Sequence, residues 1–203
     1  MPVRVYVESN FFLEIGLDQE QRPDAASLLD LAENGTIEIR APELAIYEPF
    51  STVSHRARER KKLVKLIEEQ LKGLRRSASR QDVTKTIQEA IDRLVEMDGT
   101  ELRDLQDVIG RMLRLGPPLR LSPASFTRSF EFQVEFGLDS KDGLIFATIV
   151  QDLEGTDAPR GRSVFVTRNS EDFRSPAIVE MLRERGCEAT FSFDEALRFA
   201  SAL

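Results

Sequence analysis

Four short segments rich in β-branched and aromatic residues constrain this chain more than any other feature. Val3, Val5 and Val7 alternate with Arg4 and Tyr6, and Thr36-Ile37-Glu38-Ile39 alternates again. Ser163-Val164-Phe165-Val166-Thr167 is apolar through its centre, and Glu188 to Phe191 reads as a last short strand. Helical patterns separate them: Phe11–Leu17, Pro23–Asn34, a helix opened by Pro42, a long middle, then Phe126–Phe136, Lys141–Leu153, Ile178–Arg185 and Phe193–Ala200. Short apolar strands separated by helices predict an α/β fold, a mostly parallel central sheet with helices on both faces. Pro49, inside the helix that Pro42 opens, predicts a kink or restart. Ser140 is the expected cap of the helix from Lys141, and Glu154 to Arg162 reads as a surface loop.

The middle of the chain, residues 55–118, reads as a helical block inserted in a single domain spanning 1–203. Apolar stripes run through Leu63–Leu71, Val83–Val95 and Leu102–Leu113, with Gly73–Ser79 and Asp98-Gly99 expected to separate three helices. Its first part is basic: His55 to Arg80 holds ten Lys/Arg and three Glu, about +7 in a chain of net charge −7. Lys61, Lys62 and Lys65 in that segment are candidate contacts to the phosphates of a nucleic acid, against the simpler reading of a solvated helix face.

Other classes of chemistry are restricted by what the chain lacks. With one histidine, His55, and one cysteine, Cys187, it holds neither a thiolate metal cluster nor an imidazole-rich zinc site. A metal bound here would be held by oxygen, which selects Mg²⁺ or Mn²⁺. The absence of a long apolar run and of a leader-like N-terminus gives the expectation of a cytoplasmic protein with no membrane partner.

In open parallel sheets, ligands gather beyond the carboxyl ends of the strands. Glu8, Ser9 and Asn10 follow the first strand; Thr167, Arg168, Asn169 and Asp172 follow the third. Asp142 lies in the first turn of the helix before that third strand, and Glu48 lies on the helix after the second. Each acid alone has an ordinary explanation as a helix-start residue or a loop former. Their joint placement predicts one cluster at one edge of the sheet.

The segments VYVESNFFLE, APELAIYEPF, GLDSKDGLIFA and FVTRNSEDF resemble, in this order and at these spacings, the motifs of the PIN-domain family of metal-dependent ribonucleases. The resemblance covers roughly residues 1–53 and 121–195. It implies a PIN-like three-layer α/β/α sandwich and cleavage of RNA phosphodiester bonds by water activated at carboxylate-held Mg²⁺ or Mn²⁺. It also implies catalytic roles for Glu8, Glu48, Asp142 and Asp172, with Glu8, Asp142 and Asp172 as metal ligands. Ser9, Asn10, Thr167 and Asn169 would support them, and Lys141 and Arg168 would contact the RNA. Small members of the family include toxins of bacterial toxin–antitoxin pairs, which implies an antitoxin-like protein as a partner. The apolar stripes of the helical block suit a homodimer or docking onto the chain's own sheet.

This sequence departs from the family pattern at Glu8, where Asp is usual, and in the length of the helical block. A catalytically degenerate domain that binds RNA or protein is therefore the alternative. An aspartyl-phosphate enzyme would need an Asp where Glu8 stands, and a helical interaction module would use only residues 55–115.

Overall fold

A computed structural model of the chain describes residues 2–155 and 162–202, with only the backbone of Ala78. Four strands, β1 (Val3–Val7), β2 (Ile37–Arg40), β3 (Ser163–Val166) and β4 (Cys187–Thr190), form one sheet in the order β2-β1-β3-β4. Every pairing is parallel, with Val5 beside both Ile39 and Val164, and Phe165 beside Ala189. The chain leaves β1 toward β2 and returns to its other side at β3, so the direction of winding switches between β1 and β3.

Alternation along the strands builds two cores, one on each face. Val3, Val5, Val7, Val164 and Val166 pack with helices α1 (Ser9–Gly16), α2 (Arg22–Glu33) and α9 (Phe193–Ser201). Tyr6, Phe165 and Cys187 pack on the other face with α5 (Pro123–Phe136), α6 (Ser140–Glu154) and α8 (Pro176–Glu184). The result is the expected α/β/α sandwich. Leu119 exchanges backbone hydrogen bonds with Ala41 and Glu43, each 2.9 Å, and so pins the segment after the helical block beside the end of β2.

The helical block is a hairpin of two long helices, α3 (Glu43–Leu74) and α4 (Gln81–Leu115), joined through a 3₁₀ turn at Ala78–Arg80. Of the kink or restart expected at Pro49 the restart is absent, and the break expected at Asp98-Gly99 is absent too. Helix α3 continues through Pro49, because Ala45, Ile46, Pro49 and Val53 are all buried and their packing outweighs one missing hydrogen bond. Helix α4 likewise continues through Asp98-Gly99, where Arg60 of α3 bonds Asp98 at 2.7 Å and also both oxygens of Glu101. Three sequence stripes are thus two helices. The base of α4, through Leu105, Val108, Ile109 and Met112, belongs to the sheet core. It lies so close to α1 that a Cβ on Gly16 would sit 3.0 Å from the Leu105 Cα.

Element ends otherwise fall within a few residues of expectation. Helix α5 begins at Pro123 rather than Phe126, because the Ser122 and Ser125 side chains close a reciprocal cap over its first turn. It ends at Gly137, whose φ of 72° is left-handed. Residues 156–161 of the expected surface loop lie outside the described residues.

Candidate active site

Beyond the C-terminal ends of β1 and β3, where the winding reverses, a cleft of about 490 Å³ opens. Glu8, Glu48, Asp139, Asp142, Asp172 and Asn169 are among the residues that line it. The acids arrive from four separate parts of the chain.

Glu8 sits between β1 and α1, and its side chain caps that helix. Oε2 accepts from the backbone N–H of Asn10 at 3.0 Å and Oε1 from the Thr167 hydroxyl at 3.2 Å. Burial pushes the Glu8 carboxyl up from its ordinary value, and the charge of Glu48 adds to this; the bonds from Asn10 and Thr167 work the other way. The cap is therefore Glu8 itself, while Ser9 stands in the first turn and donates its hydroxyl to Glu48. Lys141 holds the other Glu48 oxygen at 3.0 Å, and this bond raises the Lys141 pKa.

Asp142 stands in the first turn of α6. The cap of that helix is Asp139, not Ser140: its Oδ1 accepts from the backbone N–H groups of Lys141 and Asp142 at 2.7 and 2.8 Å. Aspartate and serine are equally good caps, and the helix simply begins one residue earlier than expected. Burial pushes Asp142 up to about 7, helped by the charges of Asp139, Asp172, Glu8 and Glu48. Asn169 bridges two of the acids with one amide, which donates to Asp142 Oδ2 at 3.0 Å and to Asp172 Oδ2 at 2.6 Å. The backbone N–H of Asn169 donates to the Thr167 hydroxyl at 2.9 Å, which in turn donates to Glu8.

The cleft thus gathers Glu8, Ser9, Asn10, Glu48, Asp142, Arg168, Asn169 and Asp172, with Thr167 bonded from behind. Arg168 is committed to the buried Glu14, with Glu20 3.6 Å away. Lys61, Lys62 and Lys65 are not brought to the cleft. They are exposed on α3, about 20 Å or more along the helix from Glu48, and Lys62 pairs with Glu59 at 2.7 Å. Sequence reasoning missed Asp139 and Thr52. The first is legible in the Asp139-Ser140-Lys141-Asp142 spacing of a helix start, the second in its position one turn after Glu48.

A family model described as PIN domain matches residues 5–173, most of the chain and including the hairpin. The chain belongs to the PIN-domain family. Neither the curated proteins nor the solved structures give a match. PIN domains are generally nucleases and typically use divalent metals. The donor set here suits that chemistry, since it is made of hard oxygens whose mutual repulsion a divalent cation would relieve. It is not a ready-made cage. Among the described residues no three His, Cys, Asp or Glu side chains are grouped to hold a metal ion as they stand. The carboxylates are bonded instead to Asn169, Lys141, Ser9, Thr167 and the backbone of Asn10. Among the described residues no helix is long and apolar enough to cross a membrane.

Proposed function

We propose that the chain is a metal-dependent endoribonuclease that hydrolyses RNA phosphodiester bonds with activated water. One observation carries this reading: five carboxylates from four separate parts of the chain converge in one cleft at the switch point of a PIN-family sheet. Asp142, Glu8 and Asp172 would hold Mg²⁺ or Mn²⁺, which supplies polarisation of the phosphate and a water of lowered pKa. Asn169 keeps Asp142 and Asp172 together, and Thr167 fixes the Glu8 carboxylate. Glu48, steadied by Ser9 and Lys141, orients a water at the cleft wall. Lys141 and Arg168, ion-paired with Glu48 and Glu14, would contact the RNA backbone at the cleft.

A toxin role extends the same reading and requires an antitoxin-like partner or a dimer that controls the cleft. Phe126, Phe130 and Val134, which are 45%, 62% and 88% exposed at one-turn intervals on α5, support a protein partner of this kind.

The reading is tested by incubating purified chain with single-stranded RNA and Mn²⁺ or Mg²⁺. Cleavage that EDTA abolishes and added metal restores supports it. A second reading, a degenerate domain that binds without cutting, is favoured by Glu8, which is only 5% exposed and has both oxygens already bonded. Absence of Mn²⁺ binding by calorimetry would select it.

A further inference from the structure

The hairpin that the cleft chemistry leaves unused carries a second feature. On α3, Tyr47, Arg58, Lys61, Lys65 and Lys72 recur at intervals that keep them on one side of the helix, and all are exposed. Ser51 and Ser54, also exposed, fill the step between Tyr47 and Arg58. This side is turned away from α4, because Arg60 and Leu71, which face α4, lie at other helical positions: Arg60 bonds Asp98 and Glu101, and Leu71 is 1% exposed. Among the described residues no carboxylate pairs with Arg58, Lys61, Lys65 or Lys72, although Glu68 and Glu69 interrupt the stripe. Tyr47, 70% exposed, begins the stripe and precedes in sequence Glu48, which lines the cleft from about 100° round the helix.

We propose that this face of α3 is a track for single-stranded RNA, with Tyr47 as a stacking platform at the cleft and the basic side chains following the backbone outward for roughly 40 Å. The proposal rests on the ribonuclease reading for the identity of the strand. Charge complementarity selects the occupant: a row of cations without acidic partners on an otherwise acidic protein suits a polyanion, and an exposed aromatic ring at its head suits an unpaired base. Lys62, an expected contact, lies about a quarter turn from the track and is paired with Glu59, so it is not part of it.

Binding of a single-stranded RNA about twenty nucleotides long is measured by fluorescence anisotropy, without divalent cations, over a series of salt concentrations. The variants are Tyr47→Ala and a quadruple variant with Arg58→Gln, Lys61→Gln, Lys65→Gln and Lys72→Gln. Thermal melts check that each is folded. The quadruple variant is expected to bind at least tenfold more weakly, its salt dependence shallower by about 0.7 for each phosphate no longer neutralised. Tyr47→Ala is expected to weaken binding about fivefold or more, as for loss of one stacked base. Cleavage of a dinucleotide, too short to reach the track, should be unchanged in the quadruple variant. Equal affinity and equal salt slope in wild type and quadruple variant would overturn the track and leave the stripe to an acidic protein. RNA binding lost in the quadruple variant of a chain that never cuts RNA would keep the track and remove the nuclease reading.

Discussion

Asp142 and Asp172, acids on two different helices, share the side-chain amide of Asn169, at 3.0 and 2.6 Å. The amide supplies two donors where two like charges would otherwise repel. Replacing it with Asn169→Ala should leave the fold intact and lower Mn²⁺ affinity or kcat by about 10- to 100-fold, the range for loss of a side chain that orients metal ligands. Calorimetry and steady-state cleavage measure both. Unchanged values in both would mean that the amide has no positioning role.

The cluster also predicts the pH dependence of the metal-free protein. Asp142 is raised to about 7 from its ordinary carboxylate value near 4. Between those values the folded chain keeps a proton that the unfolded chain has released, so this group makes stability fall as pH rises through the window. In EDTA, Asp142→Asn should therefore raise Tm at pH 8 by about 2–4 °C, roughly 1 kcal/mol once solvent screening is allowed for. The gain should vanish near pH 4. A lower Tm for the variant at pH 8 would contradict the repulsion.

Much of this arrangement is legible in the sequence, and the reasons for the rest are physical. Strand chemistry and helical periodicity identify all four strands, and the rule for strand ends places Glu8, Asp142 and Asp172 together. Local signals mislead at Pro49 and Asp98-Gly99, because long-range packing and the Arg60 ion pairs decide there and no local pattern contains them. The bonds of Lys141 to Glu48 and of Arg168 to Glu14 join residues about 90 and 150 positions apart, which spacing alone cannot reveal. Asp139 is masked by its neighbour Ser140, an equally suitable cap.

Glu8 separates structure from chemistry. Glu8→Gln keeps an acceptor for the Asn10 N–H and should fold, whereas Glu8→Ala removes the cap and leaves the Thr167 hydroxyl without its acceptor. The alanine variant should lose about 2–4 kcal/mol in chemical denaturation, from a missing cap plus a buried unsatisfied group. If Glu8 is a metal ligand, Glu8→Gln should be folded and inactive. Full activity in that variant would reduce Glu8 to a cap.

The attachment of the hairpin is tested by two glycines in helices. Gly16→Ala would set a methyl group 3.0 Å from the Leu105 backbone and should cost about 1–3 kcal/mol by forcing α1 from α4. Gly99→Ala meets nothing within 4 Å and should stabilise by about 0.5–1 kcal/mol through helix propensity. Urea denaturation of the two variants measures both signs. A neutral Gly16→Ala would mean that α1 and α4 are not packed this closely.

The most direct test of the central claim compares wild type and Asp142→Asn, purified in parallel, on end-labelled single-stranded RNA with Mn²⁺. Discrete products from the wild type and none above background from the variant are the predicted result. Equal cleavage by both proteins would place the activity outside this carboxylate cleft and contradict the account.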